Sequence, residues 1–146
     1  MISQKTKYGL KALIQLAQDH GQGPILISTL ATQGIPKKFL ESILLDLKNK
    51  GFLHSKKGKG GGYLLAKAPE EIKLGDVIRV LEGSLAPLPC LSRTAHRRCE
   101  DCVDEATCGI RMAMQDVAEA AAKILDGTSL ADVVNRVAQA PMTYHI

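Results

Sequence analysis

Four cysteines, Cys90, Cys99, Cys102 and Cys108, fall within nineteen consecutive residues, and the chain has no others. Their spacing is Cys90-x8-Cys99-x2-Cys102-x5-Cys108. Thiolates hold iron–sulfur clusters and zinc, and paired thiols form redox switches. Clustering of this kind in a cytosolic chain argues for metal binding or redox sensing rather than a disulfide framework. The Cys99-x2-Cys102 pair alone is equally compatible with zinc or with a dithiol switch. Arg93, Arg97 and Arg98 lie close enough in sequence to balance thiolate charge. His96, Asp101, Asp104 and Glu105 add further ligand types. A set of unengaged cysteines is the poorest account, because all four share one short stretch.

A second group of residues suits a polyanion. Through Gly83 the chain carries thirteen Lys and Arg against seven Asp and Glu, whereas the remainder carries six against eight. Lys37, Lys38, Glu41 and Ser42 occupy the outer N-terminal face of a helical segment, where a recognition helix offers polar groups to base edges and phosphates. Phe39, Leu40 and Ile43 turn inward or towards the groove edge. Lys56, Lys57 and Lys59 punctuate a glycine-rich run suited to a minor groove or flanking phosphates. That run, GKGKGGG, matches neither a P-loop nor a GxGxxG turn opening a helix, so nucleotide binding is rejected.

The elements that must position these groups follow from periodicity and breakers. Apolar residues at Leu10, Leu13, Ile14 and Ala17 mark a first helix over about Ser3 to His20. Ser28 is expected to cap a short helix through Leu30, Ala31 and Gln33, which Gly34 breaks. Pro36 opens the next helix, whose buried side is Phe39, Leu40, Ile43, Leu44 and Leu47, and Gly51 closes it. Two short helices joined by a glycine-containing turn form a helix-turn-helix. Strand candidates Phe52–Lys57 and Tyr63–Ala66 flank the glycines and predict a basic-tipped hairpin, a wing. Ile72 to Leu81 reads as another helix, closed by Gly83.

Residues 84–108, with Pro87, Pro89 and every cysteine, show no clean period and read as a loop. From Gly109 to Asp126, Ile110, Met114, Val117, Ala121 and Ile124 repeat in steps of four and three, a seam suited to a partner helix. Ser129 to Val137 reads as a last short helix, and the tail after Pro141 is expected to fray. The organisation is therefore a winged helix-turn-helix over 1–83, a cysteine-containing sensor loop over 84–108, and a dimerisation helix with tail over 109–146. The fold class is mainly α with a small β-hairpin wing.

Several runs resemble the Rrf2 family of winged-helix regulators. They are Lys7-Tyr8-Gly9-Leu10-Lys11-Ala12-Leu13, Ile35-Pro36-Lys37-Lys38-Phe39-Leu40-Glu41, and above all Gly51 to Leu65 with its Gly60-Gly61-Gly62-Tyr63 core. Ile72 to Ile78, followed by Leu81-Glu82-Gly83, is similar too, so the likeness spans most of the chain. The resemblance implies a homodimer, formed through the long C-terminal helix, on a palindromic double-stranded DNA operator. It also implies, as in several branches of the family, a 2Fe–2S or 4Fe–4S cluster held by three cysteines ahead of that helix. By position Cys90 matches the first, Cys102 the middle and Cys108 the last. Cys99 is an additional cysteine, so either it or Cys102, or all four, would serve as ligands. Lys38, Phe39, Glu41 and Ser42 match recognition-helix positions. Lys57 stands where the family usually has Arg, and Lys lacks the planar guanidinium fork.

The resulting expectation is a DNA-binding regulator whose operator affinity follows an iron–sulfur cluster or the redox state of the cysteine loop. The purified chain would carry the cluster or none. A cysteine-switch or zinc-stabilised regulator is the alternative, and an iron–sulfur carrier would leave the basic helix face and wing unused. No Ser/His/Asp set, paired carboxylates or cofactor fingerprint suggests an enzyme. No apolar run approaches bilayer-spanning length and the N-terminus has no secretory pattern, which predicts a cytoplasmic protein without membrane contact.

Overall fold

The computed structural model describes residues 2–32 and 34–141. Six α-helices and one antiparallel hairpin occur among them, a mainly helical architecture with a two-stranded wing. The first helix, α1 (Gln4–Gln18), begins at Ser3, whose hydroxyl accepts the Thr6 N–H at 3.2 Å. The Glu82 carboxylate accepts the Ser3 backbone N–H, so the last residue of a distant helix completes this cap. Gly9 lies in the interior of α1, where glycine costs about 1 kcal/mol relative to alanine. A Cβ there would stand 2.4 Å from Leu81 Cδ1, so the missing side chain lets α4 (Leu74–Glu82) approach closely.

The helix-turn-helix is α2 (Ile27–Ala31) and α3 (Lys37–Asn49). The cap expected at Ser28 is displaced: α2 starts after Leu26, with no side-chain cap. The reason is non-local, because Ile25 is held by reciprocal backbone hydrogen bonds of 2.8 Å to Tyr63 in the wing. The helix begins as soon as that bridge ends, leaving Ser28 exposed within the first turn. Gln33, expected at the end of this helix, lies outside the described residues.

Strands β1 (Leu53–Lys56) and β2 (Gly62–Leu65) pair with Leu53 opposite Leu65 and Lys56 opposite Gly62. Gly62 has φ +143°, and a Cβ on it would lie 2.3 Å from the Ile25 carbonyl oxygen, so only glycine admits the bridge. Helix α4 begins two residues later than its apolar pattern predicts. Ile72 to Leu74 instead pair with the 128–130 segment, through Leu74 N–H to Thr128 O and Leu130 N–H to Ile72 O, both 2.9 Å. Gly83 closes α4 in the left-handed region at φ +91°.

The 84–108 segment is irregular apart from two short 3-10 turns, Pro89–Leu91 and Glu105–Thr107. Helix α5 (Gly109–Gly127) follows, and then α6 (Leu130–Gln139), which opens on a capping box between Ser129 and Asp132. Leu130 is fully buried and α6 folds back on α1, so the far C-terminal helix closes the same core as the N-terminal one. That core comprises Leu13, Leu30, Leu40, Ile43, Leu44, Leu47, Leu53, Ile72 and Val77. By contrast α5 has no buried residue, and Ile110, Val117 and Ile124 are 67%, 51% and 64% exposed. The tail after Pro141 lies outside the described residues.

Candidate nucleic-acid interface and metal centre

Leu40, Ile43, Leu44 and Leu47 anchor one face of α3 in the core and leave Lys37, Lys38, Glu41 and Ser42 exposed on the other. Phe39, expected on the buried side of α3, lies outside the buried set. It is 37% exposed, and its ring meets Tyr8 edge-on at 5.6 Å, which ties the start of α3 to α1. Between α3 and the wing lies an open cleft of about 480 Å³ that brings Lys37 and Glu41 together with Lys56 and Lys57. Lys38, Phe39, Ser42 and Lys59 lie outside its lining, with Lys59 exposed at the hairpin tip.

Three polar residues in this cleft escaped the sequence reading as site residues: Lys48, Ser28 and Ser55. Lys48 was legible in principle, since it stands seven residues after Glu41 and eleven after Lys37 on one helical face. Among the described residues, none of Lys37, Lys38, Lys48, Lys56, Lys57 and Lys59 has a carboxylate within 4.0 Å. Their ammonium groups are left to external anions.

All four cysteines line a second cleft, of about 430 Å³, together with Asp101, Asp104, Glu105 and Arg111. Each is a free thiol. Cys90 is buried on the first 3-10 turn, which packs against α5. Cys99 and Cys102 bracket a tight turn closed by the Cys102 N–H on the Cys99 carbonyl at 3.1 Å. Cys108 is the N-cap of α5, and its Sγ accepts the Arg111 N–H at 3.5 Å. Desolvation, then the charges of Cys90 and Asp101, hold the Cys99 thiol above the ordinary range.

The other residues flagged by sequence divide by role. Arg98 does not face the thiols; it donates to the Cys102 and Val103 carbonyls at 3.1 and 2.7 Å and folds the loop on itself. His96 pairs with Glu105 at 3.3 Å across the loop, and Asp104 caps the second 3-10 turn. Arg97 and Arg93 are exposed. Soft thiolate donors gathered in one cleft fit an iron–sulfur cluster or zinc in donor chemistry. Among the described residues, however, no three ligand-type groups already stand together as a metal site.

The cysteine segment abuts a link to the winged helix. Arg79 of α4 makes a bidentate ion pair with Asp126 at the end of α5, at 2.7 and 2.9 Å, and stands 3.6 Å from Asp76. The Arg79 guanidinium holds the Asp126 carboxyl below the usual carboxylate range. A Cβ on Gly75 would lie 1.9 Å from Asp126 Oδ1, so this glycine makes room for the clasp.

Comparison with known proteins agrees with this arrangement. The model of the Rrf2 family, described as an iron-dependent transcriptional regulator, matches residues 2–136. The Rrf2-like HTH-type transcriptional regulator of Rhodobacter capsulatus is 44% identical over 138 residues, 92% of each chain. The structure of CymR, described as the global cysteine regulator of Bacillus subtilis, superposes with a TM-score of 0.77 at 34% identity, covering 92% of this chain and 96% of that one. The structure of T. potens IscR gives 0.74 at 31% identity, covering 99% and 94%. These relatives are named as transcriptional regulators, not enzymes. Among the described residues no helix is long and apolar enough to cross a membrane.

Proposed function

The chain belongs to the Rrf2 family of transcriptional regulators, and from that premise we propose that it is a cytoplasmic, homodimeric operator-binding protein governed by an iron–sulfur cluster on its cysteine loop. In this reading residues 1–83 bind DNA, 84–108 sense, and 109–146 carry the dimer helix and tail. Lys37, Lys38, Glu41 and Ser42 meet bases and phosphates in the major groove, with Phe39 at its edge. Lys56, Lys57 and Lys59 follow the wing into the minor groove or along flanking phosphates. The two-fold axis of the dimer is matched by a palindromic operator.

The sensing half is carried by one observation: all four thiols line a single cleft. Cys90, Cys102 and Cys108 would hold the cluster, with Cys99 as a further or substitute ligand. The bound cluster supplies iron coordination that responds to oxidants or iron supply. Drawing the cysteines together would move the loop against α5, and the Arg79–Asp126 clasp would carry that movement to α4. Couplings of this kind are typically about 1–3 kcal/mol, enough to change operator occupancy.

Anaerobically purified protein is expected to be coloured, to contain iron and sulfide, and to lose both in Cys90→Ala and Cys108→Ala. Colourless, iron-free protein from that preparation would exclude the cluster. A second reading, a metal-free thiol switch, is favoured by the gathering of free thiols in one cleft and by the similarity to a cysteine regulator. It gives colourless protein whose operator affinity changes on oxidation and is restored by a thiol reductant. Zinc content separates a third form, in which the same thiols stabilise the loop without redox response.

A further inference from the structure

A third cleft, of about 260 Å³, runs between the 84–96 segment and the flank of α5. Its charged lining is Arg79, Arg93, His96 and Arg111 against a single carboxylate, Glu119. Arg79 is taken up by Asp126, and His96 faces Glu105. Arg93 and Arg111 have no carboxylate within 4.0 Å among the described residues. Glu119 is itself turned towards Gln115, whose Nε2 donates to it at 3.2 Å.

The donors in this cleft outnumber its acceptors. Arg111 Nε is sealed from solvent and has no hydrogen-bond partner. Ser92 also lines the cleft; it is only 7% exposed, and its Oγ accepts the Ala95 N–H at 3.0 Å. An unpaired buried donor costs on the order of 1–3 kcal/mol, so one beside a cleft marks a place for an external acceptor. Uncompensated guanidinium charge makes that acceptor anionic. The volume falls just below the roughly 300–1,000 Å³ common for drug-sized ligands, which limits it to a small molecule.

We propose that this cleft is a binding site for a small organic carboxylate, anchored on Arg111 and Ser92 and drawn in by Arg93. Guanidinium is the natural partner, since its planar fork meets a carboxylate with two parallel hydrogen bonds. The site is distinct from the cysteine cleft, although Cys90 and Arg111 border both. A ligand here would therefore touch the back of the same loop that carries the thiols.

Arginine Nε–Hε resonances of the full-length chain, titrated with succinate, citrate and acetate, test the site without DNA. Binding of a carboxylate predicts a saturable shift of the signal that disappears in Arg111→Gln, at millimolar succinate. Sodium chloride at matched ionic strength should not reproduce it. Affinity should fall about tenfold in Arg93→Gln, a change at an exposed loop position that spares the core, and also in Ser92→Ala. The proposal is overturned if no carboxylate gives a saturable shift, if chloride matches it, or if Arg93→Gln and Ser92→Ala bind as the parent does.

Discussion

Phosphate contacts are additive in charge, so single lysines in the cleft between α3 and the wing have a measurable signature. Each ammonium that neutralises a phosphate adds about 0.9 to the slope of log affinity against log salt. Lys37→Ala and Lys57→Ala should each weaken operator binding and flatten that slope by about one, in fluorescence anisotropy over a salt series. Lys48→Ala should do the same, because Lys48 lines the same cleft. Gly62 acts differently, through backbone space. Alanine there would force its Cβ against the Ile25 carbonyl at an unfavourable φ, and should cost on the order of 2 kcal/mol in denaturant unfolding. Lys37, Lys56 and Lys57 were legible because charge, glycine and helical face coincide in a short window. The cysteine cluster was equally plain as a set. That Cys90 is buried on a 3-10 turn, and that Arg98 serves backbone carbonyls, depends on how the loop folds back, which spacing does not encode.

Elements report each other's boundaries here. Pro36, Gly51 and Gly83 act within a turn of where they stand, so α3, the wing and the end of α4 could be read locally. The starts of α2 and α4 could not, since each waits on a backbone pairing with a segment remote in sequence. The return of α6 to α1 and the Arg79–Asp126 clasp, 47 residues apart, are invisible to periodicity for the same reason. That clasp is testable by pH. The Asp126 carboxyl is depressed in the folded chain, so its contribution is present above the unfolded value and is lost as pH falls through the folded one. The pair is partly exposed, which sets its worth at about 0.5–1 kcal/mol. Asp126→Asn should therefore lower the melting temperature slightly near neutrality, and the difference should vanish in acid below the ordinary carboxylate range. If the clasp carries the state of the loop, the same variant should narrow the difference in operator affinity between cluster-loaded and cluster-free protein.

At the scale of the molecule, the exposed side of α5 must be reconciled with water. Ile110, Val117 and Ile124 recur every seven residues on a 19-residue helix, all three exposed within their own chain. A second copy related by a two-fold axis would cover the stripe with its own equivalent, the usual solution for a heptad-spaced apolar seam. A charge in the stripe would then be buried without a partner, whereas in a monomer it would be solvated at no cost. Val117→Glu with Ile124→Glu should accordingly give a monomer by analytical ultracentrifugation at micromolar concentration, with the helical circular dichroism of the parent, because the core residues are untouched. Binding to a palindromic operator should fall far more than binding to an isolated half-site, since the first gains from linkage of two modules and the second does not. A double variant that stays dimeric would move the interface off this face of α5. The cysteine loop would then have to act on DNA affinity within a single protomer, through the clasp alone.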